Sequence, residues 1–116
     1  MQQKIQKIQY NINKFNGLLL LLKGGSKSIE DIKQDVNEIY DNLKLIRISI
    51  ESKVPLNHLK EVHRTVLNGA INYEKGVKTF LEIYVDGDED HMVEGGLYIN
   101  EANNMMHKAA KMIDDL

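Results

Sequence analysis

Between Ser28 and Lys53 the residues Ile29, Ile32, Val36, Ile39, Leu43, Ile46 and Ile50 recur at alternating steps of three and four. That spacing keeps them on one stripe of an α-helix and suits a partner helix crossing at a shallow angle. No strand period fits the stretch. Ser28 stands three residues before Asp31, a capping box in which a carboxylate is the reciprocal acceptor, and Glu30 and Asp31 oppose the positive end of the helix dipole. At the far end Lys53 suits the negative end of the dipole. Pro55 cannot continue the hydrogen-bond ladder and restricts Val54. The spacing therefore predicts one helix over 28–53 and another starting at Pro55. Each buried aliphatic side chain contributes about 1.5–3 kcal/mol only where another element covers it, so this helix requires neighbours.

The rest of the chain supplies them. Ile5, Ile8, Ile12, Phe15, Leu19 and Leu22 repeat the same spacing and predict a helix over 2–23, stopped by Gly24-Gly25 in a left-handed cap. Leu59, Val62, Val66, Ala70, Tyr73, Val77, Phe80 and Tyr84 predict a third helix over 55–84. Its two successive steps of four between Val62 and Ala70 resemble a coiled-coil stutter. Gly69 and Gly76 each cost about 1 kcal/mol relative to Ala inside a helix, which points to close packing against a neighbour. Asp86-Gly87-Asp88-Glu89-Asp90 is the clear loop of the second half, with Asp88 or Asp90 placed to cap the next helix. That fourth helix, over 89–115, carries Tyr98, Ala102, Met105, Ala109, Met112 and Leu116 inward, flanked by Met106 and Ile113. Gly95-Gly96 would kink it or delay its start to near Tyr98. Four helices joined by short turns predict an all-α, antiparallel up-down four-helix bundle with coiled-coil-like seams, as a single domain over 1–116.

Composition narrows the function classes. A chain of 116 residues can bury one core without staples. It has no cysteine, which excludes disulfides, thiolate metal sites and cysteine nucleophiles and fits a reducing cytosol. No run approaches the roughly 18 apolar residues of a membrane span, and the N-terminus lacks the layout of a signal peptide. We therefore expect a cytoplasmic protein. The net charge of -2 gives no general attraction to nucleic acid. The distribution is uneven: Lys4, Lys7, Lys14, Lys23 and Lys27 precede the first acid, while Asp86, Asp88, Glu89, Asp90 and Glu94 cluster late. In an up-down bundle the 86–90 loop shares an end with the 24–27 turn, which makes Lys23 and Lys27 its partners and leaves Lys4, Lys7 and Lys14 for another molecule.

Motifs for chemistry fail on inspection. Asp86, Asp88 and Asp90 mimic the opening of a calcium loop, but His91 stands where glycine makes the turn and Leu97 where a bidentate carboxylate belongs. His58 with Glu61 and His91 with Glu94 have ligand spacing singly, off the apolar stripes, and read as surface histidines. There is no serine elbow, phosphate loop or dinucleotide fingerprint, and Gly24-Gly25-Ser26-Lys27 has the residues of an anion-binding turn without a preceding strand. We expect no enzyme, no cofactor and no bound metal.

From Asn68 to Leu116 a helix bearing Tyr73-Glu74-Lys75-Gly76-Val77, the Asp86-Gly87-Asp88 turn and a helix bearing Asn100-Glu101-Ala102-Asn103-Asn104 resemble uncharacterised small helical-bundle domains of Gram-positive bacteria, some from lipoproteins and mobile elements. The resemblance implies an α-bundle and no catalytic residue. Arginine at Arg47 and Arg64 only, against many lysines, also resembles the codon usage of an A+T-rich bacterium or its phage.

The run Leu18 to Leu22 adds Leu18, Leu20 and Leu21 to a face that one stripe would leave polar, either a helix end buried between neighbours or a patch that binds another chain. These observations predict a non-catalytic protein-protein interaction module, in the first place self-associating, with contacts through Lys4, Lys7, Lys14, Leu18, Leu20 and Leu21. No nucleic acid, membrane or small-molecule partner is expected. The alternative is a phage or mobile-element nucleic-acid-associated regulator that uses the same lysines along phosphates.

Overall fold

The capping box that starts the second helix is formed. The Ser28 amide donates to Asp31 Oδ2 at 2.9 Å and the Asp31 amide donates to Ser28 Oγ at 3.2 Å, in a computed structural model that describes residues 2–116. Among them are α1 (Gln2–Lys23), α2 (Lys33–Glu51), α3 (Lys60–Leu81), the one-turn α4 (Ile83–Asp86) and α5 (Asp90–Asp114). The four long helices form an all-α bundle of 46 × 23 × 22 Å. Short 3-10 turns, Glu30–Ile32 and Asn57–Leu59, lead into α2 and α3. Gly25 and Gly87 stop α1 and α4 with φ of 77° and 71°, the left-handed conformation that glycine adopts without steric cost.

The helix expected over 28–53 is a 3-10 turn followed by α2, and the one expected over 55–84 is divided between a 3-10 turn, α3 and α4. Pro55 does not open the third helix: Leu56 is extended, with ψ of 152°, and the helical path begins two residues after the proline. Gly95-Gly96 does not delay the last helix, which runs from Asp90 to Asp114.

Pairs across the seams establish the antiparallel order. Lys4 meets Ser49 and Asn11 meets Asn42 between α1 and α2. Arg47 and Glu74 join α2 to α3 through two contacts of 2.7 and 3.1 Å, and Tyr73 meets Asn103 between α3 and α5. The core is one cluster that includes Ile8, Phe15, Ile39, Leu43, Val66, Val77, Phe80 and Ala102. Phe15 and Phe80 meet edge to face at 5.4 Å, a favoured aromatic geometry. The α2 stripe from Ile32 to Ile50 is buried as its spacing predicts.

The last helix buries Ala102 and Ala109 as expected, but the rest of its stripe is Gly95, Ile99 and Met106, while the expected Tyr98 and Leu116 are exposed. The reason is the approach of α5 to α3. A Cβ on Gly95 would lie 2.6 Å from the Gly76 carbonyl oxygen, and one on Gly76 would lie 2.8 Å from the Gly95 oxygen, so backbone meets backbone and only glycine fits at either position. Gly96, one residue on, has nothing within 4 Å of its Cβ position. The seams α1–α2, α2–α3 and α3–α5 are closed, whereas α1 and α5 stand apart across a cleft of about 750 Å³.

Adjacent glycines should therefore respond oppositely to one methyl group. Gly95→Ala is expected to destabilise the bundle by about 1–3 kcal/mol through overpacking, and Gly96→Ala to stabilise it by about 1 kcal/mol through helix propensity. Urea denaturation followed by circular dichroism measures both; equal signs would contradict the close α3–α5 contact.

Candidate interaction face

α1 lies against α2 along two neighbouring stripes. On α1 the stripe is Lys4, Lys7, Asn11, Lys14, Leu18 and Leu21; on α2 and the turn before it, Asp31, Asp35, Glu38, Asn42, Leu45 and Ser49. Both keep the three-four spacing that holds residues on one helix face. Two contacts set them side by side. Lys4 Nζ donates to the Ser49 carbonyl at 3.3 Å, near the negative end of the α2 dipole where a cation is favourable. Asn42 Nδ2 donates to Asn11 Oδ1 at 3.2 Å, and Asn11 Nδ2 donates to the Lys7 carbonyl at 2.8 Å. Asn11 is 4% exposed, so this amide pair satisfies a buried polar group that would otherwise cost stability.

The expected contact residues separate into three sets. Leu18 is buried at 7% exposure and belongs to the core, because the α1 stripe turns toward α2 at that level; it is not a surface contact. Lys4 is half-buried and held by Ser49, a helix-end contact within the chain. Lys7, Lys14, Leu20 and Leu21 lie on the outside of α1, and Leu20 is 70% exposed. Among the described residues no ion pair involves Lys7 or Lys14, nor Asp31, Asp35 or Glu38.

Sequence reasoning missed Tyr10 and Leu45, which are 68% and 66% exposed on the same side of the molecule, and the acidic stripe of α2. The signal for that stripe was present as a second three-four series beside the apolar one, from Asp31 to Ser49. The face is polarised along its length as a result. Lys4 and Lys7 occupy the end level with Ser49, while Asp31 and Asp35 occupy the end level with Leu18 and Leu21.

The acidic loop does not bind Lys23 or Lys27. Asp86 Oδ1 accepts the Asp88 amide, Asp88 Oδ1 accepts the Asp90 amide, each at 2.9 Å, and the Asp86 carboxylate holds His91 Nε2 at 2.8 Å. These carboxylates are committed to turns and to His91 rather than converging on a cation. His91 is not an open surface histidine: its side chain is 13% exposed, with Glu82 and Glu94 each 3.7 Å from Nδ1. The hydrogen bond from His91, followed by the Asp88 amide, holds the Asp86 carboxyl below its ordinary value of 3.8. That same bond, with the charges of Asp86, Glu82 and Glu94, raises His91 above 6.5. No group of three potential ligands among the described residues is set to hold a metal ion.

Two concavities complete the surface. An apolar pocket of about 510 Å³ at one end is lined by Ile50, Pro55, Leu59, Val62 and Ile113; His63 Nε2, at its wall, is already 2.9 Å from the Ile50 carbonyl. The α1–α5 cleft is lined by amides, Gln6, Gln9, Asn13, Asn16 and Asn103. At its floor the Tyr73 hydroxyl donates to Asn103, and burial pushes Tyr73 up to about 12, which leaves the phenol neutral and unsuited to general-base work near pH 7.

Fold and surface together define a small all-α four-helix bundle with an exposed, charge-polarised face on α1 and α2. Comparison with protein-family models, curated proteins and solved structures finds no match to this chain. No helix among the described residues is long and apolar enough to cross a membrane.

The His91 corner gives a pH signature. A raised histidine pKa contributes stability that is fully present below 6.5 and lost as pH rises through the folded value; the lowered Asp86 contributes stability above 3.8 that is lost as pH falls through its folded value. The thermal midpoint should decline as pH rises from about 6 to 8, and His91→Gln should flatten that decline. An unchanged slope in the variant would contradict the pairing.

Proposed function

We propose that the protein is a non-catalytic interaction module that associates with itself through its basic, leucine-bearing first helix. One observation carries the reading: α1 presents Tyr10 and Leu21 to solvent beside Lys7 and Lys14, and Leu20 on its other flank, in line with Gln9 and Asn13, large apolar groups that the fold leaves uncovered. Clustered apolar side chains outside a bundle core mark contact surfaces. Covering each is worth about 1.5–3 kcal/mol, against an association cost of at least about 4 kcal/mol, so the expected affinity is modest and concentration matters. Lys4 and Leu18 take no part, since both are engaged within the chain. We place the protein in the cytoplasm, whose reducing conditions suit a cysteine-free chain.

The alternative, a phage or mobile-element nucleic-acid-associated regulator, would use the same lysines. Asp35 and Glu38 beside them work against a track of phosphates, and salt separates the two readings, since phosphate binding weakens steeply with ionic strength.

Light scattering on size-exclusion-purified protein, over a concentration series at low and high salt, tests the reading. Wild type should be larger than a monomer in both salts. Leu20→Asp should be a folded monomer, and Ile39→Asp should unfold, because Ile39 is 1% exposed and a buried unpaired charge is not tolerated. A wild-type monomer at every concentration and salt would overturn self-association.

A further inference from the structure

At the end of the bundle where α1 starts and α2 stops, the four long helices leave a recess. Its walls are Ile50 near the end of α2, Pro55 in the linker, Leu59 and Val62 where α3 begins, and Ile113 and Leu116 at the close of α5. Of the described residues of α1 only Gln2 and Lys4 reach it, so no large apolar side chain from that helix plugs this end of the core. The recess has a volume of about 510 Å³. That is the size of small-molecule sites, which are mostly apolar with a few placed polar groups.

The backbone polar atoms at its wall are already paired. The Ile50 carbonyl meets His63 Nε2 at 2.9 Å and accepts the Lys53 amide at 3.2 Å, and the Ser49 carbonyl accepts Lys4 Nζ at 3.3 Å. These bonds satisfy carbonyls at the negative end of the α2 dipole, which would otherwise oppose an anion. The interior is therefore suited to hydrocarbon. The charges that border it are of one sign: Lys4, half-buried, and Lys53, exposed, belong to the lining, and no acidic side chain does. Neither lysine has an ion-pair partner among the described residues. The acids close by in sequence are placed elsewhere. Glu51 is 3.6 Å from Arg47, Asp114 lines the α1–α5 cleft, and Asp115 is exposed outside the lining. The bond to Ser49 uses one of the three Lys4 ammonium donors and leaves two for a ligand.

An apolar recess bordered by two cations and no anion fits a hydrocarbon chain that ends in a negative charge. Ten carbons, each taking about the 30 Å³ that a water molecule occupies in the liquid, need about 300 Å³, which the recess accommodates. We propose that it binds the acyl chain of a free fatty acid, with the carboxylate held by Lys4 and Lys53. The site is assembled from the ends of four helices distant in sequence, so no local motif announces it. It lies apart from the outer face of α1 and does not depend on self-association there.

Isothermal titration calorimetry of the full chain with hexanoate, octanoate and decanoate, each kept monomeric, tests this. Binding should be one to one and tighten about fourfold with each added methylene. Decyltrimethylammonium, a chain of the same length with the opposite charge, should bind at least about tenfold more weakly than decanoate. Lys53→Glu should remove that preference; circular dichroism checks its fold, and the wild-type series decides the matter should the variant not fold. Decanoate should shift the amide resonances of Ile50, Leu59 and Val62 and leave those of Asn13 and Asn16, in the α1–α5 cleft, in place. Absence of saturable decanoate binding, equal affinity of wild type for both charges, or shifts centred on the cleft would overturn the proposal. So would binding confined to phosphatidylglycerol vesicles, which would make this end a membrane contact, or a dimer that decanoate splits, which would give the recess to a second copy.

Discussion

The contact of Gly76 with Gly95 decides how the other helices are arranged. Backbone against backbone is the closest approach two helices can make, and it draws α5 onto α3 along Gly69, Gly76, Gly95, Ala102 and Ala109. α3 also packs against α2, where the Arg47–Glu74 pair and the His63–Ile50 contact join them. α1 is left with α2 as its main support, plus the edge-to-face contact of Phe15 on Phe80. The seam between α1 and α5 is left open, as a cleft of about 750 Å³.

That placement turns the outside of α1 into surface with something to offer. A helix wedged into a closed bundle would bury Tyr10 or Leu20; here both stay in solvent. The Asn42–Asn11 bond matters beyond its modest net energy, because a slip of α1 along α2 would take this donor from the buried Asn11 side-chain oxygen, and an unpaired buried acceptor costs more than the bond contributes. It therefore fixes which lysine lies level with which carboxylate. Side-chain amides, not charges, set the register on which the polarity of the face depends.

Much of the architecture was legible from aliphatic spacing alone. The α2 stripe and the Ser28–Asp31 box read directly, because there the local signals and the packing agree. The last helix misled because glycine carries no hydropathy: Gly95 is a central seam position, but a stripe drawn through large residues passes it by and settles on Tyr98 instead. In the run Leu18 to Leu22 the spacing picks out Leu19 and Leu22, which do pack against the core, but passes over Leu18, which is buried as well. The candidate face was half legible. Lys7, Lys14, Leu20 and Leu21 stand out in sequence, whereas the acidic ridge becomes adjacent to them only when the two helices pair.

A meeting of two copies along α1 has a distance signature. The chain has no cysteine, so single cysteines at Gln3, Asn13 and Leu20, all exposed, can each carry one nitroxide for pulsed dipolar spectroscopy on the dimer. Association through α1 predicts that the labels of two copies at Asn13 lie closer together than labels placed at Lys108, exposed on α5. A shorter separation at Lys108, or no coupling between copies at any of the α1 positions, would contradict self-association through that helix.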